Sequence, residues 1–155
     1  MTKIMFVCHG NICRSPMAEF IFKGLVRERG LEDAFFICSS ATSTEELGNP
    51  VYPPARAELA RHGITCEGKR AVQLQRADGE RYDMLIGMDG ANIRNMRRML
   101  GSEAEGKIFK LMTFAGKDAD VSDPWYSGRF DVAYRDIREG CEGLLRYVLE
   151  RRETC

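Results

Sequence analysis

Lys3-Ile4-Met5-Phe6-Val7-Cys8-His9-Gly10-Asn11-Ile12-Cys13-Arg14-Ser15-Pro16 holds the end of a strand, a loop and the start of a helix. Ile4 to Val7 is a continuous apolar run, the pattern of a strand buried on both faces. Ser15 and Pro16 then offer an N-cap and a first helical residue. Met17, Ile21 and Leu25 repeat at helical spacing, and Gly30 supplies a stop. The unit is the opening half of a parallel strand–helix repeat.

Working outward, Phe35 to Cys38 reads as a second buried strand, followed by a turn-rich loop from Ala41 to Pro54. Ala55 to His62 is a short helix closed by Gly63. Met84 to Ile86 is a third strand, and Asp89 caps a helix whose Ile93, Met96 and Leu100 share a face. Ile108 to Leu111 is a fourth strand. In the last helix Phe130, Tyr134, Ile137, Cys141, Leu144 and Val148 alternate steps of four and three. Strands alternating with helices predict an α/β layer fold with a parallel sheet. In such sheets ligands bind beyond the carboxyl ends of the strands, often at a helix N-terminus. The Cys8–Ser15 loop occupies that place.

The chain has 155 residues, the size of one domain, so a single unit is expected over residues 1–155. With 44% hydrophobic and 30% charged residues it resembles neither a disordered nor a membrane protein. Lys+Arg and Asp+Glu each number 23, so there is no bulk attraction to nucleic acid or anionic lipid. Six cysteines (Cys8, Cys13, Cys38, Cys66, Cys141 and Cys155) follow a start without a signal-peptide pattern. Reduced thiols in the cytoplasm are therefore expected. Neither a CxxC pair nor a His-rich cluster is present, so no metal is expected.

The loop suggests its own chemistry. Five residues separate Cys8 from Arg14, enough to wrap an oxyanion before the helix begins. Backbone N–H groups in such a turn converge on phosphate, and the helix dipole favours negative charge there. Gly10 is expected to take backbone angles closed to other residues. Arg14 brings a planar fork matched to two phosphate oxygens. The same positive field favours a Cys8 thiolate, so the loop could both bind a phosphate monoester and attack its phosphorus. Cys13, five positions on, is placed to resolve an oxidised Cys8 as a disulfide.

The run Val7-Cys8-His9-Gly10-Asn11-Ile12-Cys13-Arg14-Ser15-Pro16 closely resembles the signature of the low-molecular-weight protein tyrosine phosphatases. The resemblance continues through Gly48-Asn49-Pro50, His62-Gly63-Ile64, Met88-Asp89 and Asp123-Pro124-Trp125-Tyr126, over nearly the whole chain. It implies a four-stranded parallel sheet flanked by helices, working without metal or cofactor on tyrosine-phosphorylated proteins. It implies neither nucleic acid nor membrane as partner, and a monomer or weakly self-associating dimer. By that resemblance Cys8 is the nucleophile and Arg14 the phosphate clamp. His9, Gly10, Asn11, Ile12, Cys13, Ser15 and Ser39 bind phosphate or support the loop. Asp123 becomes the general acid that protonates the leaving oxygen and then activates water. Trp125 and Tyr126 form one wall of the cleft.

Two positions depart from the family pattern. Glu45 aligns where many eukaryotic members place an aromatic ring on the opposite wall, giving a carboxylate that repels acidic peptides. Gly68 aligns where many members carry a histidine linked to the loop asparagine, so Asn11 is expected to lose that support. Three rivals remain. Protein-arginine phosphatases on the same fold have a threonine after the loop asparagine, where this chain has the bulkier Ile12. A thioredoxin-coupled arsenate reductase needs a cysteine pair that Arg81–Asn95 lacks, and a P-loop nucleotide binder needs an absent G-x-x-x-x-G-K-[ST].

Overall fold

The computed structural model describes residues 1–153; Cys155 lies outside them. Strands β1 (Thr2–Cys8), β2 (Phe35–Ala41), β3 (Met84–Gly87) and β4 (Ile108–Lys110) form a parallel sheet in the order β2-β1-β3-β4. Helices α1 (Arg14–Glu28) and α6 (Phe130–Glu153) pack on one face, and α4 (Gly90–Leu100) on the other. β1 serves both layers. Ile4 and Phe6 join the cluster with Met17, Phe22 and Ile137, while Met5 and Val7 pack with Leu85, Met96 and Leu100. That double burial is why the strand reads as an unbroken apolar run.

The stripe on α6 is buried as its spacing requires, from Tyr134 through Ile137, Cys141 and Leu144 to Val148. The helix also presses directly on backbone. A Cβ on Gly143 would stand 1.9 Å from the Phe114 carbonyl oxygen, an approach open only to glycine. On the other face, Asp89 caps α4. Its Oδ1 accepts the Asn92 N–H, and Asn92 Oδ1 accepts the N–H groups of Asp89 and Met88.

Three local expectations are corrected. Ser15 does not cap α1; Cys13 holds that position with no side-chain cap, and Pro16 falls inside the first turn. The N–H groups that a cap would take are turned instead toward the loop. Leu111 leaves the fourth strand to open a 3-10 turn, Leu111–Ala115. The single-turn helices α3 (Asp78–Arg81) and α5 (Pro124–Ser127), unlike α2 (Pro53–Arg61), are too short to show a period.

From β1 the sheet grows to β2 on one side and to β3 on the other. The direction of winding therefore reverses between β1 and β3, and a crevice opens at their carboxyl ends. The Cys8–Ser15 loop and the Met88–Asp89 turn meet there.

Candidate active site

Cys8 ends β1 with its sulfur inside the curl of its own loop. The N–H groups of Asn11 and Ser15 donate to Cys8 Sγ at 3.3 and 3.4 Å, and Ser15 Oγ lies 3.0 Å from it. Donors converging on one sulfur at a helix start suit a negative charge, whether thiolate or bound oxyanion.

Asn11 sets the curl. It has a left-handed backbone with φ +58°, which only asparagine and a few other non-glycine residues tolerate. Gly10 is not among the residues of positive φ, so the expected role of its backbone falls to its neighbour. Three hydrogen bonds hold Asn11 in place. Nδ2 donates to Ser15 Oγ (2.8 Å) and Ser39 Oγ (3.0 Å), and Oδ1 accepts the Val72 N–H (3.1 Å). The support expected to be lost at Gly68 is therefore present, from other partners.

Behind Ser39 lies a buried acid that sequence reasoning missed. Ser39 Oγ donates to Glu19 Oε1 at 2.6 Å, and Glu19 is paired with Lys23 at 2.5 Å and with Lys69 at 3.7 Å. Lys69 also donates to the Ser39 carbonyl at 2.9 Å. Burial pulls its ammonium pKa down, against the attraction of Glu19. The available signal was position: Glu19 follows Ser15 by four residues, which puts both on the same face of α1.

Arg14 is 4% exposed and gripped from outside the cup. Nη1 donates to the Val121 carbonyl at 3.0 Å, and Nη2 lies 2.9 Å from Asp89 Oδ2. Asp123 Oδ2 is 3.5 Å from the same nitrogen. The other carboxylate oxygen, Oδ1, accepts the Trp125 N–H at 3.1 Å, which aims the group across the cleft. Asp89, read from sequence only as a helix cap, thus also fixes the arginine.

The cleft above these groups measures about 430 Å³. Its lining includes Trp125 and Tyr126 as well as His9, Glu45 and Glu46. His9 Nε2 meets Glu45 Oε2 at 3.0 Å with both side chains well exposed, so this histidine belongs to the rim and not to the loop's support. Ile12 and Cys13 are buried with Ala71, and Tyr52 and Phe130 pack against them. Burial pushes the Cys13 thiol up to about 12, and the charges of Cys8 and Asp123 add to the shift. Among the described residues, no cluster of His, Cys, Asp and Glu could hold a metal ion, and no helix is long and apolar enough to cross a membrane.

Comparison with known proteins identifies the family. The chain is 37% identical to the low molecular weight protein-tyrosine-phosphatase YfkJ of Bacillus subtilis, over 99% of each chain. The crystal structure of YfkJ superposes with a TM-score of 0.94, covering 97% of this chain and 96% of that one. The low molecular weight protein-tyrosine-phosphatase PtpA of Staphylococcus saprophyticus is 32% identical over 97% of this chain and 96% of its own. A Drosophila arginine phosphatase, DARP, superposes with a TM-score of 0.87 at 30% identity, covering 95% of this chain and 98% of that one. Residues 3–154 match the model of the low molecular weight phosphotyrosine protein phosphatases, and the chain belongs to that family.

Proposed function

We propose that this protein hydrolyses phosphotyrosine in proteins, and small aryl phosphates, through a phosphocysteine formed on Cys8. The observation that carries the reading is the Cys8 sulfur, set within the N–H donors of its loop. A phosphate seated in the cup presents its phosphorus to Sγ. The S–P bond forms as the bond to the tyrosine oxygen breaks, and the Asp123 carboxyl gives that oxygen its proton. The guanidinium of Arg14, already anchored on its outer edge, gathers the equatorial oxygens. The Asp123 carboxylate next takes a proton from water. The resulting hydroxide attacks phosphorus, inorganic phosphate leaves, and Cys8 Sγ is restored.

Asn11, Ser15 and Ser39 keep the loop curled, with the backbone of Gly10, Ile12 and Cys13 completing it. Trp125 and Tyr126 meet the substrate ring on one side, Glu45 on the other. The same reading makes residues 1–155 one catalytic domain. It acts in the cytoplasm as a monomer or a weakly associating dimer, in keeping with five free thiols among the described residues.

The likeness to DARP keeps arginine dephosphorylation as the second reading. Ile12 weighs against it: it lines the cleft where arginine phosphatases of this fold carry a smaller threonine, and its bulk favours a flat ring. Phosphate release from phosphotyrosine and phosphoarginine peptides, in EDTA, separates the two. Tyrosine is expected to be the better substrate for the wild type, with Ile12→Thr moving the ratio toward arginine. Equal efficiency of the wild type on both would make arginine phosphatase the function.

A further inference from the structure

Tyr52 stands in the turn before α2, outside every motif that marks this family's chemistry, yet it touches both halves of the site. Its N–H donates to the Ile12 carbonyl at 2.9 Å, tying it to the phosphate loop. Its ring lies against the small cluster of Ile12, Cys13 and Ala71. On its other side the ring centroid is 4.9 Å from that of Trp125 and 6.0 Å from that of Phe130.

Trp125 needs such a partner. It sits on the single turn α5, is 52% exposed, and is followed by Tyr126 at 87% exposed. Four helical residues do not hold themselves in place, since a lone turn gains too few hydrogen bonds for the chain entropy lost. Yet the Trp125 N–H is the group that aims Asp123 Oδ1. We propose that Tyr52 is a positioning residue for the general acid: its ring clamps Trp125 to the phosphate loop and thereby fixes Asp123 relative to Cys8. This rests on the assignment of Asp123 as the acid. Tyr52 itself touches no reacting atom.

The consequence is a graded one. A misplaced acid matters in proportion to how badly the leaving oxygen needs a proton. Tyr52→Ala is expected to lower kcat/KM on phenyl phosphate about ten- to a hundredfold, the scale of a displacement near 1 Å. On 2,4-dinitrophenyl phosphate, whose phenolate leaves unaided, kcat/KM, which reports only the steps up to release of the phenol, should stay close to wild type. Tyr52→Phe keeps the ring and should restore both rates. Tyr52→Leu keeps apolar volume without the ring and should behave as the alanine variant does; it replaces that variant if alanine fails to fold. Trp125 is the only tryptophan in the chain, so its fluorescence reports the clamp without any activity. Loss of the ring should shift emission to longer wavelength and raise quenching by acrylamide.

The decisive comparison repeats the kinetics in Asp123→Asn, where no acid remains to be positioned. Removing Tyr52 there should cost nothing further on phenyl phosphate. Equal losses of kcat/KM on both leaving groups, or the same loss with and without the acid, would overturn the role of Tyr52. If Asp123→Asn itself hydrolyses both substrates with the same loss, the acid assignment falls and takes this proposal with it. A leaving-group effect in Asp123→Asn that is absent from Tyr52→Ala sinks only the clamp.

Discussion

At the floor of the cleft, Cys8, Asn11, Arg14 and Ser15 are at most 4% exposed, whereas at its rim Trp125 and Tyr126 are 52% and 87% exposed. The floor is held by bonds within one loop and by bonds reaching it from Ser39, Val72, Asp89 and Val121, with Glu19 behind Ser39. At the rim, the Tyr52–Trp125 ring contact, the Trp125 N–H bond to Asp123 and an exposed His9–Glu45 pair hold the side chains. On the proposed mechanism, burial and hydrogen bonding are concentrated where bonds to phosphorus would be made, and there a small displacement costs rate. The rim meets a substrate whose surroundings vary, and it is built from side chains that can adjust. Substitutions at the floor should therefore change kcat steeply, and substitutions at the rim should change preference gently.

The steepest change is expected from Cys8→Ser, which should lose at least ~10³-fold in kcat while still binding vanadate through Arg14 and the loop N–H groups. Turnover above that level would move the nucleophile elsewhere and erase the floor's distinction. Next comes Asn11→Ala. It removes three hydrogen bonds, two of them to the buried Ser15 and Ser39, and leaves alanine at φ +58°, so a cost of about 1–3 kcal/mol is expected from the lost bonds alone. Thermal unfolding should show it as a drop of several degrees. An unchanged melting temperature would mean that the curl is imposed by the rest of the fold.

Cys13 gives a pH-dependent test of the floor. Peroxide should oxidise Cys8 to a sulfenic acid, and the Cys13 thiolate can then displace hydroxide to form the disulfide. Because burial holds the Cys13 thiol up to about 12, it is protonated throughout the neutral range. Its thiolate fraction, and hence disulfide formation, should rise about tenfold per pH unit below that value. Recovery in dithiothreitol should accordingly be better after oxidation at pH 9 than at pH 6, and poor at both in Cys13→Ser. Equal recovery in the mutant would leave Cys13 as packing.

The smallest effect is expected at the rim. Glu45→Lys should change kcat/KM by about two- to fivefold, against basic phosphopeptides and in favour of acidic ones, and high salt should remove the difference. A change that persists in salt would show that Glu45 acts by shape.

Much of this site was legible because its residues are contiguous. Val7 to Pro16 lays out strand end, curl and helix start in one run; the unbroken apolar run of β1 follows from burial on both faces, and the apolar periods of α4 and α6 from burial on one. The supports were less legible because they arrive through space. Glu19 looked like any helical glutamate, Asp89 like an ordinary cap, and Tyr52 like a loop aromatic. The Ser15 cap was misplaced for a related reason. A motif that normally satisfies helix N–H groups gives way where those groups face an anion site. Gly10 misled because Asn11 carries the left-handed turn with its own side-chain bonds.

The Arg14–Val121 hydrogen bond joins residues 107 positions apart. A ribosome adding roughly 5–20 residues per second takes about 5–20 s to travel that distance. For that interval the nascent chain carries a phosphate loop whose arginine lacks its Val121 anchor and whose acid does not yet exist. The cysteine proposed as nucleophile is thus synthesised first and its site completed last. Catalysis begins only when the final third of the chain has docked, which ties the onset of activity to the completion of folding.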